Sequence, residues 1–494
     1  MRICIIFCAF LIIEMVGLRV YAAATYDEGE IAKLRTFLLQ ESAEAGVMNY
    51  EQLGIPSMDD IIWSTVPGLR WNNVTLFLEQ VVWADRKLSG DLDLSGFTRL
   101  KVLSCSYNDL KTVNVRDCPA LYSLDIYTND LWEIDVTTNP QLNFLRTGYN
   151  HFRSIDLSNN PSLIFLCVTG NQIEDLDLSN KAELATLTCS NNQMRTLNVE
   201  NCVSLESISC GSNQIESLNL YNLPNLETFS GAYNGTRELQ LYNCISLREL
   251  ACNNNSISTL DISGCENLSE LKCNNNQLTS LIMEGCERLA TIRCENNLLS
   301  SLDVSQMPLL TTLICMNNNL SFQTLPIPSE QITTYSYAPQ RYIFLENSYD
   351  HVDLSDIYTI YDRVSTMNWW YPYGVIRPLK SEEGVFAFDE SYVGETLVCQ
   401  VKNTILPLLV MHYDVTLMPS VGNLNPASSR PEVYASEQSV HVVTDSPAIV
   451  SIYTLQGALQ LKKTVGEGHT RIPVECGIYG VVVNDKSRYK VIVR

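Results

Sequence analysis

Leucines recur through the middle of the chain at a fixed spacing of 21 residues. The leading leucines of the repeats are Leu100, Leu121, Leu142, Leu163, Leu184, Leu205, Leu226, Leu247, Leu268, Leu289 and Leu310. Eight residues after them stand Asn108, Asn129, Asn150, Asn171, Asn192, Asn213, Asn234, Asn255, Asn276, Asn297 and Asn318. The consensus is LxxLxCxxNxLxxLDLSxxxx, and both columns are complete in eleven of eleven repeats, which excludes chance. Positions below are counted from the leading leucine as position 0.

The spacing within each repeat predicts a coil whose apolar face must be covered by the neighbouring coils. In the LxxLxC segment, apolar and variable residues alternate, which is typical of a short strand with one buried face. One coil cannot bury that face alone, so coils stack and their strands form a parallel sheet. The inward asparagine is expected to bond backbone groups left unpaired at the turn, since a buried amide without partners is costly. We therefore predict a leucine-rich-repeat solenoid over residues 100–328, with the LDL-type segments forming a second short strand on the opposite side.

The segments before the repeat predict export and a cap. An apolar run at residues 3–13, followed by alanines at 22–24, predicts a signal peptide over residues 1–24. Residues 25–99 should form an N-terminal cap with a helix over about 30–44, a packed tryptophan block and a first degenerate coil, because an end coil exposes its core. No later apolar stretch reaches membrane-spanning length, so we expect no transmembrane segment in the mature chain.

After the repeat, the sequence pattern changes. Residues 329–420 are rich in tyrosine and contain alternating runs separated by turn residues, which predicts an all-β sandwich. Either Trp369 or Trp370, together with Cys399, would lie at the centre of an immunoglobulin-like core. We therefore predict an immunoglobulin-like β domain that follows the solenoid.

Composition and charge narrow the class of partner. The chain has 494 residues, 46% of them hydrophobic, and a formal net charge of -22. It can therefore bury a sizeable core, and its excess of carboxylates repels phosphate backbones and anionic lipid surfaces. We expect no nucleic-acid partner and no membrane-surface partner.

Most of the 17 cysteines fall into two columns of the repeat. Position 5 holds Cys105, Cys189, Cys210, Cys252, Cys273, Cys294 and Cys315, and position 18 holds Cys118, Cys202, Cys244, Cys265 and Cys286. Stacked disulfides or a metal ladder are the functional alternatives. However, parallel side chains in register rarely reach the disulfide dihedral, and zinc would require CxxC-like pairs with histidine. We expect compact, buried, unpaired thiols.

No catalytic constellation is recognisable in the sequence. The histidines lack HExxH spacing, no GxSxG motif occurs, and no glycine-rich phosphate loop follows a strand. Cys167 is predicted to point outward beside Phe165, without a histidine placed to activate it.

A stripe of carboxylates could hold calcium, although a solvated acidic face is the commoner explanation; its members are Asp135, Asp156, Asp177, Asp261 and Asp303. We predict no enzymatic activity, no cofactor and no metal site.

One weak coil is also predicted within the solenoid. In residues 226–246, position 5 is Gly231 instead of cysteine, and position 10 is Thr236 instead of an apolar residue. Both changes remove buried apolar volume, so we expect looser packing there.

Two regions of the chain resemble known families. The 21-residue repeat with its Cys and Asn columns resembles the internalin J-like leucine-rich-repeat surface proteins over about residues 88–322. Residues 421–431 are a Pro-, Ser- and Asn-rich linker. Residues 432–494 are similar to the C-terminal sorting domain of type IX secretion cargo from Bacteroidota, in which IYxLxG, GIYxVxV and KVxV strands recur. The matching residues are Ile452, Tyr453, Leu455, Gly457, Gly477, Ile478, Tyr479, Val481, Val482, Val483, Lys490, Val491, Ile492 and Val493.

The second resemblance implies a route and a location. It implies translocation across the outer membrane, removal of the sorting domain and attachment to surface lipopolysaccharide. The protein would then be exported and reside on the outer-membrane surface or outside the cell. The resemblance also implies a part in adhesion or biofilm formation.

The predicted concave face of the solenoid offers a candidate binding site. Positions 2, 4 and 6 point outward from that face, and position 7 lies at its edge. In the N-terminal coils these positions hold Tyr107, Tyr127, Phe144, Arg146, Tyr149 and Phe165, whereas the C-terminal coils hold mostly asparagine. Exposed aromatic residues have no stability reason to gather on one face, and binding sites favour Tyr, Phe and Arg anchors. The alternative is that the cap or the immunoglobulin-like domain covers them.

These predictions favour a cell-surface binding protein, or adhesin, over other classes. The expected partner is a protein or glycan on a host or bacterial surface. The first alternative is a structural matrix protein that self-associates through the solenoid. A more distant one is an enzyme or enzyme inhibitor carried on the repeat scaffold, since repeat folds host unrelated functions.

Overall fold

The computed structural model describes residues 25–59, 61–345, 351–371, 374–418, 432–436, 439–444, 448–454, 459–465, 468–474, 477–483 and 487–493. It divides into two compact units, a larger one made mainly of residues up to 416 and a smaller one made mainly of residues from 417 onward. The predicted signal peptide (1–24) and the predicted linker (421–431) lie outside the described residues.

The N-terminal cap begins with the helix Glu28–Leu38, followed by the short helix Asn49–Gln52. The Asp27 carboxylate accepts the Glu30 backbone N–H at 2.9 Å, which fixes the first turn. The long helix ends at Leu38, earlier than the predicted 30–44, because the chain reverses after it: Glu41 pairs antiparallel with Met48, and the Ser42 N–H donates to the Val47 carbonyl at 2.8 Å.

The tryptophans of the cap form the predicted packed block. Trp83 stacks on Phe37 with ring centroids 5.6 Å apart, and the Trp71 indole N–H donates to the Trp63 carbonyl at 3.0 Å. The cap also contributes the antiparallel strands Leu69–Trp71 and Leu78–Val82, and the second of these pairs in parallel with the first repeat strand. The cap therefore extends the sheet of the solenoid as well as covering its end.

One 14-stranded sheet, called here the main sheet, runs through the cap and all the coils. Its strands, in spatial order, are Leu69–Trp71, Leu78–Val82, Val102–Ser104, Ser123–Asp125, Phe144–Arg146, Phe165–Cys167, Thr186–Thr188, Ser207–Ser209, Thr228–Ser230, Glu249–Ala251, Glu270–Lys272, Thr291–Arg293, Thr312–Ile314 and Thr334–Ser336. Neighbouring repeat strands are parallel and in register at 21 residues, as in the pairing of Leu145 with Leu166. The predicted stack of leucine-rich-repeat coils is confirmed.

The opposite side of the coils carries fewer strands than the sequence predicts. Four parallel pairs form there: Ser89–Asp93 with Asp109–Asn114, Asp175–Asp177 with Thr196–Asn198, Ser217–Asn219 with Glu238–Gln240, and Thr259–Asp261 with Ser280–Ile282. In the coils led by Leu121, Leu142 and Leu289, the equivalent segments contain no strand within the described range 61–345. The first two of these coils also carry most of the aromatic residues discussed below.

The asparagine column bonds the backbone as predicted. The Asn276 side-chain amide donates to the carbonyls of Cys252 and Cys273, both at 3.0 Å, and its oxygen accepts the Ile257 N–H at 3.0 Å. Each asparagine therefore joins its own coil to the preceding one. At the C-terminal end, Gln340 takes the same role, donating to the Cys315 carbonyl at 3.0 Å.

The coil predicted to be weak is largely repacked. Phe229 stands where other coils have leucine or isoleucine, and its ring fills the space beside Gly231: a Cβ on Gly231 would lie 2.5 Å from the ring. The Thr236 hydroxyl donates to the Ile215 carbonyl at 2.7 Å. A cavity of about 10 Å³ remains between these coils, roughly the space of one water molecule. The predicted loss of volume is thus mostly offset by the larger ring.

The region after the solenoid contains two β-sheets. The five-stranded sheet consists of Ile343–Phe344, Val410–Thr416, Thr396–Lys402, Thr366–Tyr371 and Gly374–Ile376; the three-stranded sheet consists of Val352–Asp353, Val385–Ala387 and Lys380–Glu382. A small hairpin pairs Thr359–Ile360 with Arg363–Val364, and 3-10 turns lie at Trp63–Thr65, Ser355–Ile357 and Glu390–Tyr392. Trp369 is buried and contacts Phe386 across the sheets, with centroids 5.2 Å apart, whereas Trp370 is exposed.

In the C-terminal unit, all the described strand pairs are antiparallel. One sheet contains Glu432–Ser436, Ser439–Thr444 and Gly468–Pro473; the other contains Leu459–Val465, Ala448–Thr454, Gly477–Val483 and Ser487–Val493. Val442, Val450, Ile472 and Val481 are among the buried residues of its core. The three motif-bearing segments thus form adjacent strands, although Leu455 and Gly457 of the first motif lie outside the described residues.

Candidate ligand-binding face

The six candidate residues come together on the outward face of the main sheet and along its edge. We call this set the aromatic strip: Tyr107, Tyr127, Phe144, Arg146, Tyr149 and Phe165. The strands Val102–Ser104, Ser123–Asp125, Phe144–Arg146 and Phe165–Cys167 and the turns after them place these side chains in four consecutive coils.

The three tyrosines of the strip form a continuous row. The ring centroids of Tyr107 and Tyr127 are 5.5 Å apart, and those of Tyr127 and Tyr149 are 5.1 Å apart in an edge-to-face arrangement. Burial raises the pKa of Tyr127, so its phenol remains protonated. Tyr107 and Tyr149 are each 49% exposed, so the cap and the β region leave this row open to solvent.

Arg146 and the two phenylalanines complete the strip. The Arg146 guanidinium lies 3.6 Å from the Tyr127 ring centroid, and its Nη1 donates to Asp125 at 3.3 Å. Phe144 and Phe165 stack nearly in parallel, with centroids 4.7 Å apart and an interplanar angle of 8°. The strip therefore presents a flat apolar platform beside a row of phenols and one cation.

Two glycines leave room for the tyrosine rings. A Cβ on Gly148 would lie 2.8 Å from the Tyr127 ring, and one on Gly170 would lie 2.9 Å from the Tyr149 ring. These contacts are closer than a side chain tolerates, so each ring depends on a glycine in the following coil. Neither glycine was predicted from the sequence, although each stands in the same repeat column as its tyrosine, one coil later, and so was a readable signal.

Two tyrosines of the strip also adopt an unfavourable backbone conformation. Position 7 lies in the left-handed region, with φ of 57° at Tyr107 and 52° at Tyr149. In later coils this position is mostly asparagine, which tolerates that conformation, as at Asn254, Asn275, Asn296 and Asn317. A bulky residue there is an outlier and costs about 1–2 kcal/mol relative to glycine. Stability alone therefore does not account for tyrosine at these positions.

The main sheet changes character beyond the strip. The next coils present Ser207, Ser209, Thr228 and Ser230, which line a shallow trough of about 220 Å³ together with Glu249 and Lys272. The Thr228 hydroxyl donates to the Ser207 hydroxyl at 2.8 Å. The aromatic side chains are thus concentrated in the N-terminal coils, although Tyr233, at position 7 of the coil led by Leu226, is also 62% exposed.

The two cysteine columns differ in their chemistry. All the cysteines among the described residues are buried and unpaired in the structure. Burial raises the pKa of Cys210 and Cys252, both in the position 5 column, to about 12. In the position 18 column the thiols of Cys118, Cys202, Cys244 and Cys286 also donate hydrogen bonds, as Cys244 does to the Leu220 carbonyl at 3.1 Å.

Other coils fill position 18 with stronger donors. Asn139, Asn160 and Lys181 occupy it in three successive coils, and the Lys181 ammonium donates to the Leu157 carbonyl at 2.8 Å. Position 18 therefore holds a hydrogen-bond donor in most coils, whereas Leu223 and Met307 fill it with a buried apolar side chain. Cys167, predicted to point outward, is only 7% exposed.

The acidic stripe serves the turns of the solenoid. The Asp156 and Asp261 carboxylates accept the backbone N–H groups of Ser158 and Ser263, both at 2.9 Å. These bonds lower the pKa of the Asp156 carboxyl, with the Ser158 hydroxyl contributing first. Within the described ranges, no group of three or more His, Cys, Asp or Glu side chains is placed to hold a metal ion.

A second aromatic cluster on the flank of the coils escaped the sequence analysis. Trp132 stacks on His151 with centroids 4.8 Å apart, and the His151 Nε2 lies 2.7 Å from the Asp130 carboxylate. The readable signal was position 11, which is polar or charged in the neighbouring repeats, as at Lys111 and Arg153.

The described residues contain no helix with the length and hydrophobicity needed to cross a membrane. No protein-family model and no curated protein matches the chain.

Solved leucine-rich-repeat structures do match the chain. The functional domain of InlJ from Listeria monocytogenes, which includes a cysteine ladder, is 19% identical over 66% of this chain and 83% of that one, with a TM-score of 0.47. A leucine-rich-repeat protein of Leptospira interrogans is 21% identical over 46% and 69%, with a TM-score of 0.37. YopM from Yersinia enterocolitica is 24% identical over 47% and 56%, with a TM-score of 0.35. Because these TM-scores are low, we draw no conclusion from the similarities. The solenoid fold is established by the parallel, in-register strands of the coils.

Proposed function

We propose that this chain is an exported, non-enzymatic binding protein of the cell surface that attaches to a protein or glycan partner through the aromatic strip. The observation that carries the proposal is the row of Tyr107, Tyr127 and Tyr149 beside the Phe144–Phe165 stack. Tyrosine, phenylalanine and arginine are the residues on which interface energy concentrates.

The local cost of building the strip supports a role in binding. Tyr107 and Tyr149 occupy left-handed backbone positions, and both remain half-exposed. Because they remain half-exposed, burial contributes little free energy to offset the unfavourable backbone conformation. Unfavourable conformations that persist in a fold tend to cluster where a ligand binds.

The test is a triple substitution of Tyr127, Phe144 and Phe165 by serine. We expect adhesion of cells carrying the full chain to be lost while the melting temperature stays nearly unchanged. The matched control changes the exposed pair Tyr221 and Tyr242 to serine, and it should adhere normally. Full adhesion by the triple variant would refute the proposal, and a large loss of stability would mean that the rings serve packing.

Self-association is the competing outcome of the same experiment. The net charge of -22 makes copies of the chain repel one another at low salt. Sedimentation of the purified chain should therefore show a monomer at low and physiological ionic strength. An oligomer that the triple serine variant abolishes would favour the structural matrix role instead.

The proposed route to the surface is type IX export directed by residues 432–494, with residues 329–420 as an immunoglobulin-like spacer. It is supported by the adjacent placement of the motif strands Ala448–Thr454, Gly477–Val483 and Ser487–Val493. Deleting residues 432–494 should leave a folded solenoid in the periplasm. Arrival of the truncated protein at the surface would refute the route while leaving the binding proposal untouched.

A further inference from the structure

Trp132 breaks the pattern of a solvent-facing column. Position 11 of the other ten repeats holds Lys111, Arg153, Glu174, Arg195, Glu216, Arg237, Ser258, Thr279, Ser300 and Ser321. Trp132 is the only apolar residue in this set, and it is 60% exposed. Because most of its indole stays in water, it gains little of the burial energy that normally justifies a tryptophan.

The polar groups around Trp132 are fixed by one another. His151 stacks on the indole at 4.8 Å between centroids and an interplanar angle of 30°. Its Nε2 lies 2.7 Å from one oxygen of Asp130, and the Lys111 ammonium binds the other oxygen. The Lys111 contact lowers the pKa of the Asp130 carboxyl, so this residue stays ionised. Three successive coils thus hold an exposed indole within a fixed frame of donors and acceptors.

We propose that this cluster of Lys111, Asp130, Trp132 and His151, called here the flank site, binds a neutral carbohydrate. A pyranose ring has an apolar C–H face that packs on an aromatic face, and hydroxyl groups around its rim that exchange hydrogen bonds with carboxylates, imidazoles and ammonium groups. The flank site supplies both elements side by side. The site lies outside the aromatic strip, so the inference does not depend on the proposed function.

Other ligand chemistries fit the flank site less well. A quaternary ammonium group would require several aromatic walls and an unpaired carboxylate, whereas Asp130 is already paired with Lys111 and His151. An apolar protein anchor would require a pocket that excludes water. The indole at 60% exposure instead offers an open platform. An open site of this kind binds weakly, and several such contacts made at once would raise its avidity.

The experiment titrates the full-length chain with cellobiose, maltotriose, N,N′-diacetylchitobiose and lactose, monitored by tryptophan fluorescence and calorimetry. We expect saturable binding of at least one of these sugars. Trp132→Arg should weaken that binding about tenfold or more without changing the melting temperature, because this column accepts arginine elsewhere. Trp132→Ser is the second variant, since Ser258 and Ser300 show that the column also accepts serine.

The controls separate the flank site from the strip and from exposed aromatics in general. His151→Gln should weaken the same sugar severalfold, because glutamine stands in that column at Gln172 and Gln193 but offers no ring to stack on the indole. Tyr242→Arg, at a residue 71% exposed elsewhere on the solenoid, should leave the affinity unchanged. The triple serine variant of the strip should also retain sugar binding.

The inference is overturned if no sugar of the panel binds, or if Trp132→Arg binds as tightly as the parent chain. It is equally overturned if Trp132 proves necessary only for a protein partner.

Discussion

The guanidinium of Arg146 lies 3.6 Å from the centre of the Tyr127 ring, which belongs to the preceding coil. The same side chain reaches Asp125 at 3.3 Å, so a ring and a carboxylate hold it in place from one side. Because side-chain ordering opposes binding, an arginine that is already fixed loses less entropy when a partner docks. The relationship makes Arg146 the ordered charged centre of the aromatic strip.

Replacing Arg146 with methionine should separate binding from stability. The methionine keeps an apolar stem but removes the charge over Tyr127, so we expect a loss of only about 0.5–1 kcal/mol in unfolding free energy. Adhesion should fall much further. Arg293→Met is the matched control, since Arg293 is exposed and occupies the same repeat position in one of the C-terminal coils. Equal adhesion by the two variants, measured alongside urea unfolding, would remove Arg146 from the binding face.

Asn276→Ala should destabilise the solenoid locally. It deletes two hydrogen bonds to the Cys252 and Cys273 carbonyls and leaves the Ile257 N–H unpaired. We expect a cost of roughly 2–4 kcal/mol, because the abandoned groups stay buried. Hydrogen exchange should show faster exchange of the Ile257 amide, whereas Asn274→Ala, on the outward face, should leave it unchanged. An unchanged exchange rate of the Ile257 amide in Asn276→Ala would contradict the role of the asparagine column in bonding the backbone.

The two cysteine columns should respond differently to serine. Among the described contacts, the Cys294 thiol has no acceptor, so Cys294→Ser buries an unsatisfied hydroxyl and should cost roughly 1–3 kcal/mol. Cys244→Ser should be milder, since the hydroxyl can inherit the bond to the Leu220 carbonyl. Thermal unfolding of both variants under reducing conditions is the measurement. Comparable losses would mean that the bond at position 18 contributes nothing.

The cap should respond to pH through Glu30. Burial is the main cause that raises the pKa of this carboxyl to about 7 from its ordinary value of 4.5, although it accepts the Leu78 N–H at 3.0 Å. The folded cap therefore retains a proton that the unfolded chain releases between these values, so the stability of the cap falls as pH rises from about 4.5 to about 7.

Glu30→Gln tests this dependence directly. Glutamine keeps an oxygen for Leu78 and cannot ionise, so the variant should be more stable than the parent by roughly 1–3 kcal/mol at pH 8 and nearly equal at pH 4.5. Glu28→Gln, an exposed change in the same helical turn, should show no such difference. Denaturation curves at both pH values measure the free energy of unfolding of the parent chain and of the two variants.

The repeated features of this fold could be predicted from the sequence because repetition itself reports a shared environment. Asn276 and its counterparts recur at one position, and one physical role explains them all. Features that depend on a single pair across coils were not predictable in the same way. The ring of Phe229 fills the space beside Gly231, and Gly148 makes room for Tyr127, yet each residue alone indicates only a gain or loss of volume. The end of the first helix at Leu38 likewise depends on the chain reversal that pairs Glu41 with Met48.

In the candidate site, too, the features that follow from the repeat were predictable, and the contacts between individual side chains were not. The outward direction of Tyr127, Phe144 and Phe165 follows from the alternation of the strand, and so their shared face was predictable. Their mutual contacts, and the contact of Arg146 with Tyr127, depend on side-chain rotamers that periodicity does not determine. Trp132 was readable as an exception within its column, but its stacking on His151 was not.

The uniform register of the main sheet makes the length of this protein adjustable. Each interior coil meets its neighbours through the same strand pairing and the same asparagine bonds, as Leu145 meets Leu166. Removing one whole repeat from the C-terminal coils would rejoin two surfaces that already fit, while the aromatic strip and the Gln340 closure remain intact. Each such step changes the length of the main sheet by about 4.8 Å. Loss or duplication of a gene segment that encodes one coil would therefore give variants whose main sheets differ in length while the aromatic strip stays the same.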